Sequence, residues 1–361
     1  TCIDGNSAPN PVFPYCPNKV FQFHHQPFNY FANYGPGTAG RTHLPRGELS
    51  GGRGAPLPPP SRDREQRMDQ RNRTAERLGA HVSVQGGVDK APVRGKAIGA
   101  TAIQVFTKTP SQWREPAIAR ESFSAFRREF ERCRLSSIVA HDSYLINLAS
   151  PDRALSARSE ASFVEELRRC EAFGIPHLVS HPGNYIDDRD AGLARNAAAY
   201  TRCLRRVPGS VVILLETTAR CGTALGSTFE ELALLRSLIS DDARHRIAFC
   251  ADTCHLYSAG YDLVNEYDRI WRQWDEILGL ANLHCLHLND SKTPFASCRD
   301  RHELIAEGSL GPKPFRRIMT DPRLAHVAKI LETPKGDDQV TTDRKMLRRL
   351  RHYARAPRVP R

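Results

Sequence analysis

The segment Val211-Val212-Ile213-Leu214-Leu215-Glu216 consists of five consecutive apolar residues followed by a carboxylate. A short continuous apolar run of this kind is typical of a strand that is buried on both faces. On either side of it, residues 193–206 and 229–239 carry apolar side chains at spacings of three and four, which indicates amphipathic helices. Buried strands that alternate with helices are typical of a parallel sheet covered by helices.

The same alternation extends over most of the chain. The predicted strands are residues 78–81, 102–106, 138–141, 177–181, 211–216, 247–252, 283–287 and 328–332. The predicted helices include residues 121–133, 160–173, 193–206, 229–239 and 265–278. Eight strand–helix cycles predict an α/β fold, specifically a (β/α)8 TIM barrel. A doubly wound open sheet is the alternative, but it usually has fewer strands, and no GxGxxG phosphate loop follows the first strand.

The two ends of the chain differ in composition from this regular body. Residues 1–77 are rich in proline and glycine and include the run Ala55-Pro56-Leu57-Pro58-Pro59-Pro60, so we interpret them as a disordered, low-complexity N-terminal extension. Residues 78–353 form the predicted TIM-barrel domain. Residues 354–361 form a basic C-terminal tail.

Charge and hydropathy restrict the partners of the protein. The chain has 52 Lys and Arg against 40 Asp and Glu, a net charge of +12, which fits either a polyanionic partner such as nucleic acid or a protein that is merely basic. No stretch approaches the roughly 18 apolar residues of a membrane span, so we expect no membrane partner. The ten cysteines are scattered, which favours a reducing compartment.

Six polar side chains stand at the ends of predicted strands. They are His141, His181, Glu216, Asp252, His287 and Glu332. The carboxyl ends of barrel strands meet at one mouth, where the active sites of this fold lie. Imidazole and carboxylate together suit zinc or a similar divalent ion, and a set of this size could hold more than one, because buried charges must be paired or coordinated.

Three further candidates lie slightly outside this set. His255 follows Asp252 by three residues, and Asp300 and His302 flank Arg301. They would either form a third metal site or, in the case of the Asp-Arg-His element, belong to a solvated loop.

Several of these segments resemble the signature regions of the endonuclease IV family of zinc-dependent apurinic/apyrimidinic endonucleases. The matching segments are His141-Asp-Ser-Tyr-Leu-Ile-Asn147, Cys250-Ala-Asp-Thr-Cys-His255, His287-Leu-Asn-Asp-Ser-Lys292, Asp300-Arg-His302, Gly79-Ala-His-Val-Ser83 and His181-Pro-Gly183. The resemblance covers residues 78–353, and its motifs are long, ordered and specific.

The resemblance implies a trinuclear zinc site. One Zn²⁺ would be bound by His141, His181 and Glu216, and Glu216 would bridge to a second that is also bound by Asp252, His287 and Glu332. His255, Asp300 and His302 would bind the third. Glu216, Glu332 and Asp252 would serve catalysis, in which a zinc-activated hydroxide cleaves the phosphodiester bond 5′ to an abasic site and leaves a 3′-hydroxyl and a 5′-deoxyribose phosphate.

The family's substrate is double-stranded DNA with abasic sites, and the resemblance places His81, Gln112, Tyr144 and Leu145 against it. We expect a monomer that acts inside the cell, in the cytoplasm of a bacterium or in the nucleus or mitochondrion of a eukaryote. The chain departs from the family at Ser111, where arginine is common, and at Arg220 and Ala296, where glycine is frequent.

Two other functions compete with this hypothesis. A metal-dependent TIM-barrel sugar isomerase or epimerase also uses His, Asp and Glu at strand ends, but it needs no third metal site. A DNA-binding barrel that has lost catalysis would bind abasic DNA without cutting it.

Overall fold

The computed structural model describes residues 77–113 and 117–355. Eight parallel strands form a closed barrel in the order β1-β10-β7-β6-β5-β4-β3-β2. These strands are β1 Leu78–His81, β2 Ala102–Phe106, β3 Ser137–His141, β4 His177–Ser180, β5 Val212–Glu216, β6 Ile247–Asp252, β7 Leu283–Leu288 and β10 Ala328–Leu331. The predicted TIM barrel is therefore confirmed, and the open doubly wound sheet is excluded.

Two short strands lie outside the barrel, where β8 Asp290–Ser291 pairs antiparallel with β9 His302–Glu303. This small hairpin holds the segment around His302 next to the end of β7.

The predicted strand limits agree with the structure to within one residue. His181 and Glu332, which were predicted as the last residues of their strands, instead lie one residue beyond β4 and β10.

Helices connect the strands on the outside of the barrel. They are α1 Ala91–Ala97, α2 Arg120–Arg132, α3 Arg153–Phe173, α4 Arg189–Arg206, α5 Phe229–Leu238, α6 Asp241–Arg244, α7 Thr253–Ala259, α8 Tyr267–Ile277, α9 Pro312–Ile318 and α10 Gln339–Arg355. Short 3-10 helices cover Val88–Lys90, Leu280–Asn282 and Pro322–Leu324.

Helix α3 begins seven residues before the predicted start at residue 160. The Asp152 side chain accepts hydrogen bonds from the backbone N–H groups of Ala154 and Leu155 at 2.8 and 2.9 Å, which caps the N-terminus of the helix. The first two turns are mostly exposed and lack the apolar spacing on which the prediction depended.

The apolar core has two layers. The barrel interior is filled by one small cluster of buried residues, which are Ala102, Val139, Val179, Leu214, Ala248, Cys250, Cys285 and Ile330. The larger layer lies between the strands and the helices and includes the fully buried Trp271, Trp274 and Phe229. The interior layer forms an apolar floor beneath the barrel mouth.

The predicted terminal segments fall largely outside the described residues. Of residues 1–77 only Arg77 is described, and of residues 354–361 only Ala354 and Arg355, which belong to α10. Among the helices of the described ranges, none combines the length and apolar character that crossing a bilayer requires.

Two histidines face each other toward the start of the strands, away from the mouth. His284 is the extra residue of a β-bulge, because β7 pairs through Leu283 and Cys285 with two consecutive residues of β6. Its ring centre lies 4.9 Å from that of His177 at the start of β4. Burial, together with the charges of His284 and Arg77, lowers the pKa of His177 to about 4. Burial, His326 and Arg77 lower the pKa of His284.

We expect the free energy of unfolding to fall as the pH drops from about 6.5 toward about 4, because the unfolded chain binds protons that the folded histidine pair rejects. The stability that the neutral histidine pair contributes is fully present above pH 6.5, the ordinary histidine pKa, and is lost as the pH falls from there toward 4. His177→Gln should reduce the loss by up to about 2 kcal/mol at pH 5. Urea unfolding at pH 7.5 and pH 5 measures the difference.

The matched control is His352→Gln, which changes an exposed histidine in α10 and should leave the pH dependence as it is in the unchanged protein. Equal pH dependence in His177→Gln and the unchanged protein would show that the pair does not stay neutral in the folded state.

Candidate metal centre

Each strand of the barrel places one polar side chain above the apolar floor. Along seven strands this side chain lies two residues after an interior residue, as Glu216 does after Leu214 and His287 after Cys285, because alternate residues of a strand share a face. The full ring is His81, Gln104, His141, His181, Glu216, Asp252, His287 and Glu332. All six predicted strand-end residues therefore meet at the mouth.

Glu216 lies at the centre of this ring and is fully buried. Its Oε2 atom is 3.1 Å from Nε2 of His141 and 3.0 Å from Nε2 of His181. Its Oε1 atom faces the opposite side, 2.8 Å from Nδ1 of His287 and 3.5 Å from Nδ1 of His255. One carboxylate thus presents an oxygen to each of two neighbouring groups of imidazoles.

The predicted ligand atoms fall into three compact groups. Within each group the ligand atoms lie within 4.8 Å of one another, and the groups are His141, His181 and Glu216; Glu216, Asp252, His287 and Glu332; and His255, Asp300 and His302. This is the grouping that the family resemblance implies. The loop residues Asp300 and His302 lie against the buried His255, so the structure does not support the alternative of a detached solvated loop.

Three of the imidazoles are oriented by backbone carbonyls. The contacts are Nδ1 of His141 to the Asp142 carbonyl at 2.9 Å, Nδ1 of His255 to the Thr217 carbonyl at 2.8 Å, and Nδ1 of His302 to the Glu332 carbonyl at 3.2 Å. A carbonyl can only accept a hydrogen bond, so each Nδ1 donates. In the neutral ring Nε2 is then left unprotonated and points into the centre, as a metal ligand requires.

Gln104 orients the fourth imidazole and was missed in the sequence analysis. Its Oε1 atom is 2.8 Å from Nε2 of His287, so this nitrogen donates and Nδ1 is left to face Glu216. The amide nitrogen of Gln104 donates to Glu332 and lies 3.0 Å from Nδ1 of His81. The spacing could have revealed Gln104, because it lies two residues after Ala102 in β2.

The carboxylates and imidazoles hold strongly shifted pKa values. Burial raises the pKa of Glu216, but the charges of His287 and His181 outweigh it and bring the pKa well below its ordinary value. Burial lowers the pKa of His141, but the hydrogen bond and charge of Glu216 raise it to about 9. The carboxylates thus require positive charge beside them, and a divalent cation can take the place of the protons on the imidazoles.

In the group of His255, Asp300 and His302, burial and neighbouring charges also shift the pKa values in opposite directions. Burial raises the pKa of Asp300, but His255 and His302 bring it well below its ordinary value. Burial lowers the pKa of His302, but Asp300 and Asp252 raise it to about 10.

The residues predicted to contact DNA lie in two different environments. Tyr144 follows β3 with 60% of its surface exposed, and Leu145 beside it is partly buried. Gln112 is exposed in the loop after β2. His81, by contrast, is only 7% exposed and lies inside the ring, and its Nε2 atom has no hydrogen-bond partner among the described residues.

The loop after β2 is braced against α3. Nζ of the buried Lys108 donates to the Gln112 carbonyl at 2.9 Å and to the Ser162 hydroxyl at 2.8 Å. The guanidinium carbon of Arg158 lies 5.4 Å from the centre of the Trp113 ring. The exposed Ser111 therefore lies in a loop that is fixed at neighbouring residues.

The two positions where the family frequently has glycine both have a left-handed backbone. Arg220 has φ 62° and Ala296 has φ 55°. A residue with a Cβ atom is strained in this region, whereas glycine is not. This chain thus holds a left-handed backbone at both positions with residues that carry a Cβ atom.

The comparisons with known proteins agree with the fold. The sequence profile described as Xylose isomerase-like TIM barrel matches residues 93–350. A protein named probable endonuclease 4 from Chloroflexus aggregans is 44% identical over 283 residues, which cover 77% of this chain and 98% of that protein. A protein of the same name from Geobacter sulfurreducens is 45% identical over 283 residues, 75% of this chain and 95% of that protein.

Solved structures show the same relationship. The crystal structure of endonuclease IV from Thermus thermophilus matches with a TM-score of 0.69 and 33% identity, over 77% of this chain and 98% of that one. D-psicose 3-epimerase from Clostridium cellulolyticum matches with a TM-score of 0.51 at 13% identity, over 77% of this chain and 95% of that one, and this likeness shows the fold alone.

The closed barrel and the profile match define the chain as a xylose isomerase-like TIM barrel. Within this class, the two relatives named endonuclease 4 are more than 40% identical to this chain over nearly their full length. The chain belongs to the endonuclease IV family of nucleases, as its motifs predicted.

Replacing Ala296 by glycine should raise the free energy of unfolding. Relief of a left-handed conformation is worth about 1–2 kcal/mol, and the added freedom of the unfolded chain offsets about 0.4–1 kcal/mol of it. We therefore expect a net gain of up to about 1.5 kcal/mol, measured by urea unfolding.

The matched control is Ala194→Gly at an exposed position within α4, where the same change should cost about 1 kcal/mol. A loss of similar size for Ala296→Gly would mean that the left-handed position carries no strain.

Proposed function

We propose that the chain is a zinc-dependent AP endonuclease that cleaves the phosphodiester bond 5′ to abasic sites in double-stranded DNA, leaving a 3′-hydroxyl and a 5′-deoxyribose phosphate. The observation that carries the proposal is the buried Glu216, whose two oxygens face two separate sets of inward-pointing imidazoles. The family's nuclease activity supplies the reaction class.

Three Zn²⁺ ions fit the donor set of the ring and the outer group. One would be held by His141, His181 and Glu216, the second by Glu216, Asp252, His287 and Glu332, and the third by His255, Asp300 and His302. Mixed imidazole and carboxylate donors suit zinc, and fixing the second ring nitrogen raises the basicity of a histidine ligand. When bound, the metal supplies an activated water and positive charge to balance the phosphate.

The protein's own residues would then position the reacting phosphate. We assign Glu216, Glu332 and Asp252 as the catalytic carboxylates, because all three belong to one group of candidate ligands and Glu216 is shared with a second group. The Gln104 amide nitrogen, 3.0 Å away, donates to Nδ1 of His81, which places the proton of the neutral His81 ring on its unpartnered Nε2 atom. This buried donor is suited to a phosphate oxygen.

The DNA would be held by residues around the mouth. The exposed ring of Tyr144 is available to enter the base stack at the lesion, with Leu145 beside it and Gln112 on the adjacent loop. The net charge of +12 favours association with the phosphate backbone. We propose a monomer that acts in the cytoplasm, as the bacterial source of its relatives suggests.

The sugar isomerase or epimerase alternative has less support. Its solved representatives share the barrel at low identity, for example 13% for D-psicose 3-epimerase. The third group, His255, Asp300 and His302, has no evident role in the isomerisation of a small sugar.

The decisive experiment uses a duplex with one tetrahydrofuran abasic analogue. We expect incision 5′ to the analogue, loss of incision after metal is removed with a strong chelator, and recovery when zinc is restored. Glu332→Gln should abolish incision, whereas Glu165→Gln on the exposed face of α3 should retain it.

Other results would contradict the proposal in distinct ways. Tight binding of the analogue duplex without incision by zinc-replete protein would indicate a barrel that has lost catalysis. Absence of both binding and incision would favour the sugar enzyme, and candidate ketoses would then be tested as substrates.

Gln104→Leu should weaken zinc binding by about 10–100-fold, because Nε2 of His287 loses its acceptor and the imidazole loses its orientation. Competition with a chromophoric chelator measures the affinity, and excess zinc should restore much of the incision rate. Gln273→Leu on α8 is the matched control and should bind zinc normally. Unchanged zinc affinity in Gln104→Leu would remove Gln104 from its positioning role.

A further inference from the structure

A pair of cysteines lies in the barrel interior directly beneath the ring. Cys250 of β6 and Cys285 of β7 are direct partners in the strand register. Both are fully buried and belong to the interior cluster, so their side chains point toward the barrel axis.

The two thiols form a compact group with His287. The sulfur atoms and a ring nitrogen of His287 all lie within 4.8 Å of one another. His287 also belongs to the group with Glu216, Asp252 and Glu332, so one imidazole lies between two sets of donors. The cysteine sulfur atoms lie on the side of His287 that faces the barrel interior, and the carboxylate oxygens lie on the side that faces the mouth.

The two sets favour different cations. Thiolate sulfur binds soft, thiophilic ions, whereas imidazole and carboxylate bind zinc and harder divalent ions. Two thiolates and one imidazole supply three donors of the kind that ions of the zinc group bind. The apolar surroundings would keep competing water away from the sulfur atoms.

We propose that Cys250, Cys285 and His287 form an additional metal site, separate from the three zinc positions proposed above and selective for thiophilic divalent cations such as Cd²⁺. Binding would release the two thiol protons to solvent, and two metal–sulfur bonds would replace water molecules on the incoming cation. The new metal–nitrogen bond would form as His287 gives up its bond to the cation held in the ring. Because His287 cannot bind an ion below and an ion above in the same orientation, occupation of the lower site withdraws it from the ring. Thiophilic cations therefore inhibit the protein from within the barrel.

Binding of Cd²⁺ by other cysteines must be distinguished from binding by Cys250 and Cys285. Cys254 forms a group with Asp252 and His302, and Cys221 and Cys298 are partly exposed near the mouth. Variants at single positions distinguish these groups, and a small core residue replaced by alanine leaves only a small cavity.

The test titrates the full-length, zinc-loaded protein with CdCl₂ and follows the ultraviolet thiolate-to-cadmium charge-transfer band. We expect a saturable band at one equivalent of Cd²⁺, loss of most of its intensity in Cys250→Ala and Cys285→Ala, and retention in Cys254→Ala. Cys203→Ala is the matched control, because Cys203 is a buried cysteine of α4 remote from the ring. Urea unfolding of each variant establishes that it is folded.

Inhibition of DNA incision by Cd²⁺ provides a second test of the proposed site. The Cd²⁺ concentration for half-inhibition of incision should rise at least about tenfold in Cys285→Ala and stay unchanged in Cys203→Ala. The proposal is overturned if the band is absent from the unchanged protein or persists in both folded variants of the pair. The absorbance experiment does not depend on incision, so failure of the proposed nuclease function would leave this test intact.

Discussion

The burial of Glu216 is the constraint on which the rest of the structure depends. A carboxylate without exposure in an apolar barrel would be strongly destabilising unless positive charge or hydrogen-bond donors surrounded it. His141, His181 and His287 lie within 3.1 Å of its two oxygens. Glu216 lies between His141 and His181 on one side and His287 on the other. The candidate metal ligands therefore form separate groups on the two sides of its carboxylate.

The closed barrel also supplies the groups that orient the imidazoles. The carbonyls of Asp142, Thr217 and Glu332 belong to residues at or next to the strand ends, where backbone groups leave the ladder of strand hydrogen bonds. The strand ends therefore provide both the side chains of the centre and the acceptors that fix them. A change in strand register would displace both together, because a shift of one residue turns each side chain to the opposite face.

The sequence predicted the strands and the six strand-end residues because most of the strands are short, mainly apolar runs that lead into a polar residue. Gln104 escaped notice because a polar residue within the run 102–106 looks like ordinary alternation, although its side chain faces the ring. The early start of α3 depends on the Asp152 cap and not on apolar spacing. The bulge at His284 and the left-handed backbone at Ala296 are conformations that arise from tertiary contacts, so composition alone could not reveal them.

Polar and apolar side chains alternate in layers along the barrel axis. The order of these layers affects the strength of electrostatic interactions at the mouth. Toward the start of the strands lies the His177–His284 pair, in which burial and the charge of Arg77 lower both histidine pKa values. Above the pair come apolar side chains and the two thiols, then the ring of imidazoles and carboxylates. An apolar floor weakens the screening of charges above it, so the attraction between the Glu216 carboxylate and a cation is stronger than it would be in water. The apolar floor that makes the bare ring costly to bury thus also strengthens the attraction of its carboxylates for positive charge.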